Sequence, residues 1–212
     1  MKFLFDLGTN LGQGLSEINS ELNALGNKDF KVYSFEANPN IIIDLKYDNF
    51  TYINKAVSDE NGKCKLKVAT RVQDYNKEKF KKDLQKNIEY VGIDSKKDSF
   101  TSVGCYVIDK NILGQLGGSG HHNVVVDKID IVEFIRETTE KDDSCEIYIK
   151  MDIEGSEFCI LRKLLKYENI LKKIKKMWIE THERFVKNEN ADTVKELFNS
   201  LKINDIDVVH WK

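Results

Sequence analysis

Asp152, Glu180 and His182 are the residues of this chain best placed by type and position to do proton chemistry. Each stands where a short apolar run ends, at residues 145–152 and 177–182. Runs of this length and composition read as buried strands. In an open parallel α/β sheet the carboxyl ends of the strands face the ligand crevice, so three polar groups from distant sequence can meet there. His182 is the favoured base, because an imidazole with an ordinary pKa of ~6.5 takes a proton near neutral pH. For Asp152 three roles stand open: to orient His182, to take the proton itself, or to hold a divalent metal with Glu180 and His182. Lys150 lies two residues before Asp152, on the same strand face, and a lysine buried there needs a carboxylate partner. Glu154 and Glu157 open the next helix, where the helix dipole favours acids. Glu157 reads as first-turn charge on that ground, and Gly155 as the tight turn before it.

A second constellation is Asp6-Leu-Gly8-Thr9-Asn10-Leu-Gly12, directly after the apolar run 2–7. Glycines after a strand let the backbone turn sharply and pass close to a ligand, and the helix that follows offers free N–H groups. Glu36 ends the next strand, where a carboxylate can accept both hydroxyls of a ribose. A nucleoside triphosphate would call for GxxxxGK[ST], which is absent. A nicotinamide dinucleotide would call for GxGxxG/A; Gly12-Gln-Gly14 begins it, but Glu17 stands where a small residue is needed for close helix–strand packing. S-adenosylmethionine brings a ribose for Glu36, has no pyrophosphate, and carries an amino group and positive charge that suit the acid at Asp6.

These residues need a frame. Strands are expected at 2–7, 31–36, 51–57, 145–152, 177–182 and 206–211, with helices after most of them: Leu15, Ile18, Leu22 and Leu25 recur at helical spacing, and Pro39, 129–135, 154–165 and 191–201 mark the others. Strand and helix alternating at this spacing give an α/β fold, Rossmann-like, with a mostly parallel central sheet, helices on both faces and a long insertion after the third strand. Residues 63–72 and 123–126 read as further short strands. The whole of 1–212 reads as one domain, with a substrate-binding or lid insertion at about 70–122. That stretch holds a Lys-rich run at 77–86, a Gly-rich tip and His121-His122, and long insertions of this kind usually bind or cover ligands.

Composition narrows the function classes. The chain has 212 residues, 33 Lys+Arg against 35 Asp+Glu, and a formal net charge of −2, which does not supply the positive excess behind bulk nucleic-acid binding. One proline excludes Pro-rich linkers. The four cysteines, at 64, 105, 145 and 159, have no CxxC spacing, so they read as reduced thiols rather than a zinc or redox site. No apolar run approaches the ~18 residues of a membrane span, and 1–7, interrupted by Asp6, is too short for a signal peptide. A soluble cytoplasmic protein with no membrane partner is expected.

With the motifs in order, the chain resembles the FkbM-type family of S-adenosylmethionine-dependent methyltransferases. Asp6 to Gly12 resembles the cofactor loop. Phe35-Glu-Ala-Asn-Pro39 resembles the ribose motif, with Ala37 in place of the usual proline. Asn54-Lys-Ala-Val-Ser-Asp59 resembles the segment beside the adenine, and Val126-Asp-Lys-Ile-Asp130 a later one. Ile149-Lys-Met-Asp-Ile-Glu-Gly-Ser-Glu157 is the most specific string, and Ile179-Glu-Thr-His182 resembles the late Glu-x-His. The resemblance implies a class I methyltransferase fold. It implies S-adenosylmethionine bound by Asp6, Gly8, Thr9, Asn10, Gly12, Glu36, Ala37, Ala56, Val57 and Asp152. It also implies catalysis by Asp152, His182 and Glu180 on a hydroxyl of a sugar, glycan or small natural product. Two other readings stand beside it: methylation of an RNA 2′-hydroxyl, which needs a basic groove, and a catalytically inactive nucleoside-binding scaffold, for which the intact Asp152/Glu180/His182 set would have no use.

Overall fold

Phe3, Phe5 and Leu7 alternate with Leu4 and Asp6, and all five are buried. A strand apolar on both faces belongs in the middle of a parallel sheet covered on both sides. The computed structural model, which describes residues 1–10, 12–26, 30–39, 41, 49–69, 106–108 and 121–211, puts it there. β1 (Lys2–Leu7) pairs in parallel with β2 (Phe30–Phe35), and β2 with β3 (Phe50–Ile53). A second sheet, of order β4-β7-β5-β6, comes from β4 (Ala56–Ser58), β5 (Gly62–Ala69), β6 (Tyr106–Ile108) and β7 (His121–Asp130). On the other side of β1 lie β8 (Glu146–Met151), β9 (Ile174–Ile179) and β10 (Asp207–His210). The main sheet therefore runs β10-β9-β8-β1-β2-β3, every described pair parallel.

Helices cover both faces. Leu15, Ile18 and Leu22 of α1 (Gln13–Ala24) pack on Leu4, Phe30, Tyr148 and Trp178. The opposite face holds the larger core. There Phe3, Phe5, Ile149, Met151 and Met177 meet α2 (Ile131–Thr139) and α3 (Glu157–Leu164). Leu197 and Leu201 of α5 (Ala191–Ile203), which follows the short α4 (Glu168–Leu171), join the same core. Each such buried side chain contributes roughly 1.5–3 kcal/mol. Asp130 caps α2 by accepting the Glu133 N–H at 3.2 Å, and Asn190 caps α5 by accepting those of Asp192 and Thr193, the usual use of short polar side chains at helix starts. Among the described residues no helix is long and apolar enough to cross a membrane.

Three expectations change. The strand expected at 51–57 is two strands in two sheets: the chain breaks at Asn54-Lys55, where the Asn54 amide donates to the carbonyls of Glu36 and Asn38. The strand expected at 123–126 is the ten-residue β7, paired antiparallel with β5 along its length and parallel with β4. α2 starts at Ile131, because Asp130 is its cap. The Lys-rich run, the Gly-rich tip and most of the insertion at 70–122 lie outside the described residues, as do Cys105 and most of the helix expected after Pro39.

Candidate active site

The first loop is held from below. The N–H groups of Gly8 and Thr9 both donate to the Phe35 carbonyl, at 3.0 and 2.9 Å. The Thr9 hydroxyl lies 2.6 Å from that of Ser34, which donates to Asp6 Oδ2 at 2.8 Å. Gly8 has φ +80, and a Cβ there would stand 1.8 Å from the Asp152 carbonyl oxygen, so only glycine lets β1 pass so close to the end of β8. Asp6 is fully buried, and its positive partner is Lys150, 1 % exposed, with Nζ 3.5 Å from Asp6 Oδ1. The same ammonium donates to the Gly8 carbonyl at 2.7 Å, lies 3.8 Å from Asp152 and 5.0 Å over the Trp211 ring. A Cβ on Gly14 would meet Lys150 Cε at 2.5 Å and the Trp211 ring at 2.9 Å, so a larger residue there requires these two side chains to shift.

Glu36 takes over where β2 ends. Its Oε2 accepts the Asn10 N–H and its Oε1 the Asn38 N–H, both at 2.7 Å. Each oxygen keeps a lone pair for a further donor. Burial pushes the carboxyl above its ordinary range, against the two N–H bonds and Lys150. Gly12 opens α1 at φ +87, and a Cβ there would meet nothing within 4 Å. Asn10 Oδ1 is buried with no hydrogen-bond partner among the described residues, which is costly unless a ligand supplies one.

The strand ends beside it are stitched in line: the Asp152 N–H donates to the Leu7 carbonyl and the Glu180 N–H to that of Met151. Between β8 and α3 the chain turns through Glu154 (φ +55) and Gly155 (φ +113). Glu157, fully buried, closes this turn by accepting the N–H groups of Gly155 at 2.8 Å and Ile153 at 3.2 Å. Its Oε1 also lies 2.8 Å from His182 Nδ1. His182 Nε2 faces Glu154 at 3.5 Å and Glu180 at 3.7 Å. Burial alone would lower the His182 pKa; the Glu157 bond and charge, with Glu154 and Asp152, outweigh it and bring the pKa to about 9. Burial raises the carboxyls of Asp152 and Glu180, and that of Glu154 to about 7.

The loop, the Glu36 carboxylate and an acid–imidazole cluster thus line the carboxyl edge of one parallel sheet. The family model for the methyltransferase FkbM domain matches residues 6–205. The chain belongs to that family. It is a methyltransferase. No curated protein and no solved structure matches it.

In this FkbM methyltransferase the expected residues divide by what they touch. Asp152, Glu180 and His182 do converge, one donor atom from each lying within 4.8 Å of the others. Gly8, Asn10, Gly12 and Glu36 form the loop and its carboxylate. Asp6 and Thr9 sit beneath the loop: Thr9 bonds Ser34 and the backbone, Asp6 Oδ2 accepts from Ser34, and the buried Asp6 Oδ1 faces Lys150 at 3.5 Å with no hydrogen-bond partner among the described residues. Ala37 and Ala56 pack with Leu66 and Val126, and Val57 joins the main core, which leaves mainly their backbone to offer a ligand. The acids around His182 raise its pKa to about 9, above that of an ordinary imidazole. Sequence reasoning missed Glu157, which orients His182, although its place five residues after Asp152 in the most specific motif was the available signal.

Proposed function

We propose that this protein is an S-adenosylmethionine-dependent O-methyltransferase acting on a hydroxyl of a sugar, glycan or small natural product. The observation that carries the cofactor reading is Glu36, whose two carboxylate oxygens are fixed by backbone N–H groups at the mouth of the glycine loop. The open side of Gly12 and the unpartnered Asn10 Oδ1 fit a nucleoside with an amino-acid tail. In this reading Glu36 holds the ribose hydroxyls, the loop from Gly8 to Gly12 and Asn10 hold the amino-acid portion, and Ala37, Ala56 and Val57 flank the base. The cofactor supplies a methyl group on a sulfonium, ready for in-line displacement.

The chain's own part is orientation and proton removal. Asp152 stands at the end of β8 beside the loop, and its raised pKa makes it a better proton acceptor than an ordinary carboxylate. It takes the proton of the acceptor hydroxyl as the oxygen attacks. His182, turned into the cluster by Glu157, and Glu180 position that hydroxyl. Beyond Gly155 and Ser156 a cleft of about 580 Å³, lined by Asp59, Lys65, Lys128 and Arg162 among others, opens between the second sheet and α3. Asp152, Glu180 and His182 do not line that cleft; hydroxyl-bearing acceptors are what the family resemblance implies.

The test is transfer of a labelled methyl from S-adenosylmethionine to a panel of glycosides, polyols and polyketide alcohols, with RNA as comparison. Label in an ether of one hydroxyl compound, lost in Asp152→Ala while cofactor affinity stays within a few-fold, is the expected result. Transfer unaffected by Asp152→Ala removes its assigned role.

A further inference from the structure

We infer that Asp152, Glu180 and His182 form a binding site for a divalent cation that takes mixed nitrogen and oxygen donors, with Glu157 as the group that fixes the histidine ligand. The inference deepens the methyl-transfer reading, since it names what holds the acceptor's oxygen at the same site. Three strand-end residues bring one nitrogen and two carboxylate oxygens within 4.8 Å of one another. Donors around a first-row divalent ion, at roughly 2.1 Å from it, stand roughly 3–4 Å apart, so small side-chain adjustments close the set.

The independent observation lies behind the histidine. Metal-bound imidazoles almost always give their second nitrogen to a carboxylate or carbonyl that fixes ring and tautomer. Glu157 does this for His182 at 2.8 Å, and is itself fixed by two backbone N–H groups and fully buried. His182 is 4 % exposed with Nε2 turned toward the carboxylates, whereas Asp152 and Glu180 are 27 % and 35 % exposed. The site is thus closed on the protein side and open on the other, as a catalytic metal site must be to admit substrate. Charge points the same way. Asp152, Glu154, Glu157 and Glu180 surround one imidazole, and Lys150, the other cation here, is shared with buried Asp6. One imidazole with two carboxylates and no thiolate suits Mn²⁺ better than a soft metal. Bound there, such an ion would coordinate the acceptor hydroxyl and lower its pKa.

Mn²⁺ alone is the probe. The whole chain, stripped with a chelator, is titrated with MnCl₂ at pH 7.5 while free Mn²⁺ is read by electron paramagnetic resonance; binding of S-adenosylhomocysteine is measured by calorimetry on the same samples. One ion per chain is expected. Glu180→Gln and His182→Gln should each weaken it at least 10-fold, and Glu157→Gln, which touches no ion, 10- to 100-fold. Glu137→Gln, on the exposed side of α2, should leave it unchanged. Should the buried His182 or Glu157 variants fail to fold, the partly exposed Glu180→Gln carries the test. No Mn²⁺ bound by the folded wild type, or equal binding by wild type and Glu180→Gln, overturns the inference. Loss of Mn²⁺ binding with nucleoside binding intact removes the metal and keeps the methyl-transfer reading; the reverse keeps the metal and removes the cofactor reading.

Discussion

Glu157 Oε1 and His182 Nδ1 lie 2.8 Å apart, and this contact ties the first turn of α3 to the loop that follows β9. Because Glu157 also accepts the N–H groups of Ile153 and Gly155, one buried carboxylate sets both the Asp152–Gly155 turn and the direction of the imidazole.

The contact has a pH signature in the metal-free protein. His182 titrates at about 9 in the fold against an ordinary 6.5, and Glu154 at about 7 against 4.5. Both values are raised, so both groups bind protons more tightly when folded. Their stabilisation is complete below the ordinary values and is lost as pH rises through the raised ones. Urea unfolding in chelator should show stability falling between pH 6.5 and 9, and Glu157→Gln should flatten that fall. A wild type whose stability is level across this window, like the variant's, would refute the assignment.

Gly8 and Gly12 both have positive φ but face different surroundings. Gly8→Ala drives a Cβ to 1.8 Å from the Asp152 carbonyl, and its cost should reach about 3 kcal/mol or more, seen as loss of folded protein on denaturation. Gly12→Ala meets open space, so only the left-handed conformation is penalised, by about 1 kcal/mol. Its larger effect should be on nucleoside affinity, because the new methyl stands on the open side of the loop. Equal destabilisation by both substitutions would contradict the packing described.

Lys150 neutralises Asp6 in the core. Lys150→Met leaves a fully buried carboxylate without its cation, at a cost of about 3–5 kcal/mol. Adding Asp6→Asn should recover part of that loss in a double-mutant cycle, since the uncompensated charge goes too. Additive losses would mean that the two residues do not act as a pair.

Much of this was legible in the sequence. The short apolar runs 2–7 and 145–152, followed by helical spacing, marked the parallel strands, and the period of two placed Lys150 beside Asp152, where the ammonium is found 3.8 Å away. The same period could not reveal that Lys150 also pairs with Asp6, which needs the register of β1 on β8, where the two residues are directly opposite. Glu157 was read as first-turn charge because local sequence shows a helix start. That its carboxylate folds back onto the turn and onto a histidine 25 residues later is a tertiary fact. β7 was read only at 123–126, because its full length is set by pairing with strands far away in sequence, β4 and β5, and Val125 faces solvent.

Glu36 should make nucleoside binding pH-dependent. Its carboxyl is raised by burial, and a protonated carboxyl accepts hydroxyl hydrogen bonds less well than a carboxylate. Affinity for S-adenosylhomocysteine should therefore weaken as pH falls, beginning above the ordinary carboxylate value of 4.5, and Glu36→Gln should remove the dependence. A profile shared by wild type and Glu36→Gln would assign the dependence to another group.

The most direct test of the account is calorimetric titration of the folded chain with S-adenosylmethionine, S-adenosylhomocysteine and NAD. The account predicts micromolar binding of both sulfur nucleosides, none of NAD, and at least a 10-fold loss in Glu36→Ala, in line with charge-assisted hydrogen bonds worth about 1.5–3 kcal/mol. Absence of sulfur-nucleoside binding by a folded sample, or binding indifferent to Glu36→Ala, would contradict it.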